Sequence, residues 1–342
     1  MALVLDLVDP QELQGLVRGV QLEEERNRLV LQNYLQNRMI DEIEYSIVRG
    51  NLRDADSAEV RAWDTEAPIG SRQGLEKIAG ELPPISKKMR LGEEERLRRR
   101  MISSGSAAQI VDAIYNDAAQ LARSVVVRVE RLRGEALEYA QITLNENGVQ
   151  QTVPFGRKAG HTVTAGVLWS NTATATPASD MRSWVQAYID TNGISPAFCL
   201  TSTAVISNLM RNAEIRTLAM GNTNTGMVTM DMVNAVFAAY GLPAFVPYDA
   251  VVRVAGTQTR ITSANKLILM PPANEPLGGT FFGTTAEAIE LAEARAINQD
   301  QVPGLTATVH KLDDPVSTWT KVAAIAFPVL VNPDLTFTAT VQ

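Results

Sequence analysis

Residues Arg61–Arg100 read RAWDTEAPIGSRQGLEKIAGELPPISKKMRLGEEERLRRR. The stretch is too polar to build a core. It is also too long for a connection inside a compact domain, where structureless loops above about 15 residues are functional or disordered. Its texture is not that of a low-complexity tract. Trp63, Pro68, Gly70, Gly74, Ile78, Gly80, Leu82, Pro83 and Pro84 punctuate a charged ribbon with turn residues and apolar anchors. Such a ribbon needs a second surface to lie on, which predicts an arm between subunits.

Upstream of the ribbon, Asp9-Pro10 supplies an N-cap followed by proline at the first helical position. Leu13, Leu16, Val17, Val20, Leu29, Val30 and Leu31 continue a helical pattern to about Gln36, read as a detachable N-terminal arm. Ile43, Tyr45 and Ile47 alternate with Glu44 and Ser46, a short strand leading into the ribbon. At the ribbon's end, Glu93 to Glu95 followed by Arg98 to Arg100 place acid before base, as a short helix prefers. Apolar residues then recur every three or four positions from Ile110 to Ala140, which predicts one helix over Ser106–Ala140, roughly 50 Å long at 1.5 Å per residue. Gly134 is its one weak point.

Beyond that helix, Asn147-Gly148 between Ile142 and Phe155 predicts a hairpin turn in which both central residues take positive φ. A second domain is predicted from Leu168. Its helices are capped at Ser179 or Asp180, at Thr201 or Ser202, and at Thr229, and its strands lie at Ala197–Leu200, Phe245–Val246, Val251–Val254, Thr259–Thr262 and Lys266–Met270. In the tail, Leu305–Val309, Trp319–Val331 and Leu335–Val341 are apolar or alternating. They are read as strands returning to the sheet under the long helix. Gly278-Gly279 reads as a turn or hinge.

The chain has 342 residues, a net charge of −7 and 45% hydrophobic residues, the composition of a globular protein with room for two domains. The acidic balance argues against a dedicated nucleic-acid binder. The opening MALVLDLVDP lacks the basic flank and length of a secretory signal, and no apolar run reaches the roughly 18 residues of a membrane span. The expectation is therefore a protein made and kept in a cytoplasm. Cys199 is the sole cysteine, so no intrachain disulfide forms; it reads as a small buried hydrophobe.

The runs AWDTEAPIGSR and ELPPISKKMRLGEEERLRRR resemble the extended loop of tailed-phage major capsid proteins of the lambda protein E family, which share the Hong Kong-97-type shell fold. The likeness is strongest from Asn33 to Arg100, and the downstream order of elements follows the same plan. What the resemblance implies is an α+β fold in five parts. These are an N-terminal arm (1–50), an extended loop (51–92), a peripheral domain with a long spine helix (93–167), an axial domain (168–272) and a second peripheral part (273–342). It further implies a structural shell protein assembled as hexamers and pentamers in an icosahedral virion capsid. Scaffolding, decoration, portal and protease proteins would be partners, and packaged double-stranded DNA would touch the inner face without sequence preference. The loop residues expected to need a neighbour are Trp63, Pro68, Ile78, Leu82, Pro83 and Ile85 as apolar anchors. Arg61, Arg72, Lys87, Lys88 and Arg90 are their charged companions.

No catalytic constellation stands out. His161 and His310 lie in no metal-ligand spacing, Asp313-Asp314 precedes proline as in a turn, and no phosphate-binding loop or nucleophile elbow is present. No cofactor is expected. Some relatives of the fold crosslink a loop lysine to an asparagine; Lys77, Lys87, Lys88 and Asn332 are present, but nothing marks the glutamate and apolar pocket that reaction needs. Two other readings fit the same features: a cargo-enclosing nanocompartment of the same fold, and a monomeric hydrolase using the loop as a lid.

Overall fold

In a computed structural model, the chain is described over residues 2–3, 8–50, 60–61, 63–66, 75–102, 106–221, 226–273, 275–298 and 302–342. The first half runs β1 (Ala2–Leu3), α1 (Pro10–Asn27), β2 (Asn37–Met39), β3 (Glu44–Gly50), β4 (Leu75–Glu81), β5 (Pro84–Leu91), α2 (Glu93–Ile102), α3 (Ser106–Tyr139), β6 (Gln141–Glu146), β7 (Val149–Pro154) and β8 (Thr162–Thr164). There follow α4 (Pro177–Asn192), β9 (Phe198–Thr201), α5 (Thr203–Arg211), α6 (Ala213–Met220), α7 (Met230–Ala239), β10 (Ala244–Pro247), β11 (Val251–Val254), β12 (Thr257–Arg260) and β13 (Lys266–Met270). The tail is β14 (Gly278–Gly283), α8 (Ala286–Glu293), β15 (Thr306–Asp313), β16 (Val316–Leu330) and β17 (Phe337–Thr340).

Two sheets organise these elements. The larger has the order β1-β15-β16-β14-β2, with β5 also paired to β16. β16 is its axis, 15 residues long and buried along most of its length. It runs antiparallel to β15 and β5 over its first part and to β14 over its last. The helix α3 buries Ile114, Leu121, Val125, Val129, Leu132 and Ala136 in the core shared with this sheet. The smaller sheet, β10-β9-β13-β17-β8, carries α4, α5 and α7 and a separate core in which Trp169 stacks on Trp184 with centroids 5.7 Å apart.

Local chemistry accounts for the start and end of the principal helices. Asp9 accepts a hydrogen bond from the Gln11 amide at 2.9 Å and Pro10 opens α1, as the sequence predicts. The last turn of α3 is closed by Arg157, whose guanidinium donates to the carbonyls of Leu137 at 2.6 Å and Glu138 at 3.2 Å, satisfying acceptors that the helix itself cannot. Burial pulls that guanidinium down to about 10, with Asp334 and Glu138 opposing. Gly134 is explained by contact: a Cβ there would sit 2.6 Å from Cγ2 of Ile261, so the glycine admits the chain just after β12 against α3. Asn147 and Gly148 have φ of 50° and 86°, the positive values expected of the β6–β7 turn.

Several expectations are corrected. Helix α1, expected as a projecting arm, is packed on its own subunit: Leu13, Val17 and Val20 are buried in the large core, and Glu25 is held by Arg133. Arg133, with no exposed side-chain surface, donates to Glu25 and Glu130 at 3.0 Å each, to Thr280 Oγ1 at 2.9 Å and to Asn37. Glu130 in turn accepts from the Leu31 amide and the Tyr248 hydroxyl, both at 2.9 Å. The network joins α1, α3 and β14, and every member is partnered. Gly278-Gly279 is not a hinge but the start of β14, paired with Leu330 and Val329. Helix α4 begins at Pro177, not at Ser179 or Asp180: Thr176 is its N-cap residue, proline opens it, the Ser179 and Asp180 amides already donate to the Thr176 carbonyl, and Asp180 accepts from the Trp169 indole at 2.9 Å. Most consequentially, β17 joins β13 and β8 in the smaller sheet, not the sheet under the long helix.

Candidate intersubunit surface

The polar ribbon divides into parts with different fates. Strands β3 and β4 form an antiparallel ladder in which Gly50 faces Leu75 and Ile47 faces Ile78. Gly80 leaves room for Tyr45 across this ladder; a Cβ there would lie 2.7 Å from the Tyr45 hydroxyl oxygen. Tyr45 and Leu82 are thereby buried together in the large core. Leu82, expected as an anchor for a neighbour, is only 5% exposed and already occupied within its own subunit. Ile78 and Ile85 are half-buried against the same core, and Pro83 accepts a hydrogen bond from the Ala326 amide. Pro68 and Arg72 lie outside the described residues.

Farther out, the chain at Val60–Glu66 turns on Asp64, whose φ of 64° is one that aspartate tolerates. Arg61 closes the turn by donating to the Thr65 carbonyl at 2.5 Å. Val60 is 102% exposed and Trp63 97%, so both apolar side chains stand in water.

Lys87, Lys88 and Arg90 are carried on β5, with Lys87 and Lys88 exposed and Arg90 turned toward the face of Trp319. In register Lys88 faces Lys321, an unfavourable like-charge pairing. It is relieved because Lys321 pairs with Glu287 while the Lys88 ammonium sits 4.6 Å from the centroid of the Trp319 ring. Arg90 lies over the same ring at 5.8 Å.

Between β5, α3, the β6–β7 hairpin and β11 runs a groove of about 600 Å³. Pro83, Ile85 and Lys87 from the expected contact set line it, beside Arg123, Arg128 and Arg131 of α3 and Arg253 of β11. Glu146 is the one carboxylate among its described lining residues and pairs with Arg128 at 3.2 Å. Arg123 pairs with Glu24 at 3.1 Å. Burial, then the neighbouring Arg128, push the Arg131 guanidinium below its ordinary value, with Glu146 and Glu135 opposing. Reading only the apolar stripe of α3 misses these arginines; their signal is the run of cations Arg123, Arg128 and Arg131 set between the apolar positions of the helix.

The other candidates for chemistry fall elsewhere. His161 is buried between β8 and the approach to β17, its Nδ1 3.3 Å from the Thr336 carbonyl, and burial lowers its pKa. Burial also lowers His310 and raises the Cys199 thiol. Among the described residues no three His, Cys, Asp or Glu side chains gather as a metal site, and no helix is long and apolar enough to cross a membrane.

Comparison with known proteins gives the same outline. The model of the family described as phage major capsid protein E matches residues 12–341. The fold is similar to the crystal structure of a protein described as a prophage capsid protein of E. coli CFT073, with a TM-score of 0.65 and 13% identity over 98% of this chain and 99% of that one. It is also similar to a phage-related protein from Bordetella bronchiseptica RB50, with a TM-score of 0.60 and 14% identity over 99% of this chain and 98% of that one. No curated protein matches by sequence. The architecture is thus the α+β shell fold that the resemblance implied.

Proposed function

The chain belongs to the phage major capsid protein E family, and is a structural capsid protein; from that premise we propose that its copies close into an icosahedral shell around a tailed-phage or prophage genome. The observation that carries this reading is the family match across residues 12–341. An exposed turn that presents Val60 and Trp63 to solvent supports it, since a tryptophan and a valine standing together in water are the kind of side chains that interfaces cover. The role is one of binding, not catalysis, repeated by symmetry until the shell closes.

In this reading 1–50 is an N-terminal segment docked on its own subunit, 51–92 supplies the extended loop, 93–167 and 273–342 build the peripheral domain, and 168–272 builds the axial domain. β17, although in the last range, completes the axial sheet and so ties the two domains together. Hexamers and pentamers are the assembly units, packaged DNA meets the inner face through unspecific charge, and assembly proceeds in the host cytoplasm.

The test is electron microscopy of the fast-sedimenting fraction after expression of the chain alone and with its neighbouring head genes. Closed shells, tubes or curved sheets are expected. A protein that stays monomeric in both settings overturns the reading.

A further inference from the structure

Val322 and Ala324 of β16 turn into the core shared with α3, so Trp319 and Lys321, at the alternate positions, lie on the opposite face of the larger sheet. The register sets His310 of β15 beside Trp319, and Lys88 of β5 beside Lys321. Together with Ser86 and Lys87 these four side chains line a cavity of about 430 Å³, the size of a small-molecule site. No carboxylate is among its described lining residues. Lys321 is answered by Glu287 of α8, whereas Lys87 and Lys88 have no carboxylate at ion-pair distance among the described residues.

Two polar atoms of these lining residues are orphaned. Trp319 Nε1 and His310 Nδ1 are shielded from water and have no hydrogen-bond partner among the described residues, and a buried polar group left so costs more than an ordinary hydrogen bond returns. The other imidazole nitrogen, Nε2, is engaged with Thr308 Oγ1 at 3.2 Å. Two unanswered ammonium groups, an indole N–H and an imidazole nitrogen around one cavity call for an oxyanion. A carboxylate or a phosphodiester brings a single charge. A phosphoryl group brings nearly two, which matches the two lysines, and because its second proton leaves near pH 6 it can keep a proton for Nδ1 or accept one from it. We infer that this cavity binds a phosphoryl dianion, free or at the end of a small ester. Its oxygens accept from Lys87, Lys88 and the Trp319 indole and meet His310 Nδ1. Such a ligand touches β5, β16 and β15 at once, and so fastens the strand that follows the long ribbon to the sheet behind it.

The experiment titrates the full-length protein, prepared without phosphate and held at constant ionic strength, with inorganic phosphate, adenosine 5′-monophosphate and dimethyl phosphate. Binding is read by calorimetry and by the rise in the thermal unfolding midpoint that any ligand of the folded state produces. Saturable binding of inorganic phosphate or of the monoester is expected, with dimethyl phosphate weaker by at least about tenfold. Trp319→Phe keeps an aromatic ring and removes only the N–H; Lys88→Gln removes one charge. Each is expected to weaken phosphate binding at least about tenfold, as loss of one hydrogen bond to a charged group gives. Lys311→Gln takes away a nearby charge that does not line the cavity, and should change the affinity by less than about twofold.

Equal affinity for inorganic phosphate and the monoester supports the site and identifies the free ion as sufficient. Tighter binding of the monoester supports it and identifies an ester as the ligand. Absence of saturable binding by either probe overturns the inference. So does a parent that binds dimethyl phosphate as well as phosphate, or a Lys311→Gln loss as large as that of Lys88→Gln, since both would mean diffuse attraction to a basic surface. Folded Trp319→Phe and Lys88→Gln proteins that bind like the parent overturn it as well. Should Trp319→Phe not fold, Lys88→Gln, at an exposed position of β5, decides alone by the same tenfold criterion.

Discussion

Two pieces of one polar ribbon end in opposite physical states. Residues Leu75–Leu91 and Val60–Glu66 have similar composition, each mixing charges with a few apolar side chains. The first is zipped into ladders with β3 and β16, its Leu82 packed beside Tyr45 and its Lys88 held over Trp319. The second makes a single local turn and leaves Trp63 in solvent. A sequence that needs a partner can find it inside the subunit or outside it, and composition alone does not say which. The strand pairing decides, because a backbone already hydrogen-bonded to β16 has delivered its side chains to fixed neighbours.

That contrast predicts a separation between stability and assembly. Joining Gly50 to Leu75, which face each other in register, through a two-residue Asn-Gly turn removes residues 51–74 and keeps the ladder. The shortened subunit is expected to unfold at the parent's midpoint and to form no shells; normal shells would break the contrast at its root. Leu82→Ala acts in the opposite sense. It opens a cavity in the large core and should cost about 2–5 kcal/mol of subunit stability, measured by urea denaturation. Lys88→Ala sits between the two regimes, and loses about 0.5–1 kcal/mol with its place over Trp319. Trp63→Ala should change subunit stability by less than about 0.5 kcal/mol, because the ring is almost wholly in solvent. The same change should weaken assembly, seen as a higher critical protein concentration.

A smaller effect is the pH dependence of stability. His161 has a folded-state pKa below its ordinary value because it is buried, with Arg157 adding to that and Asp334 and the Thr336 carbonyl opposing. The unfolded chain binds a proton near pH 6.5, where the folded one still resists it. Stability from this site is therefore complete above that pH and declines as the pH falls through the unfolded and then the folded value. His310 shifts in the same direction in the larger sheet. Denaturation midpoints between about pH 7.5 and 5 should fall for the parent and fall less steeply for His161→Gln. An equal slope in the two proteins would assign the titration elsewhere.

Elements with a local signature are legible in the sequence. Asp9-Pro10 marks the start of α1, the repeating apolar stripe marks α3, and Asn147-Gly148 marks the hairpin. Short helices α6 and α8 carry too few turns for a period to emerge, and β14 is masked by its own Gly278-Gly279. The allegiance of β17 is not readable, since an alternating strand advertises a buried face without naming the sheet that buries it. At the candidate surface, the ribbon stands out by its polarity and length, yet a lone leucine among charges gives no hint that Leu82 is internal. The arginines of α3 pass as a solvated face because their convergence with Lys87 and Arg253 exists only after folding.

The Arg133 network has a consequence for proteolysis. A cut inside α1 that released Glu25 would take one of two carboxylates from a guanidinium that water does not reach, leaving it to Glu130, Thr280 and Asn37, and would cut into the helix that buries Leu13, Val17 and Val20 in the large core. A protease acting ahead of Asp9 leaves the guanidinium fully answered. Helix α1 is therefore anchored at both ends from inside the subunit, by its buried leucine and valines near the start and by Glu25 near the end, and trimming that stops before Asp9 leaves both anchors in place.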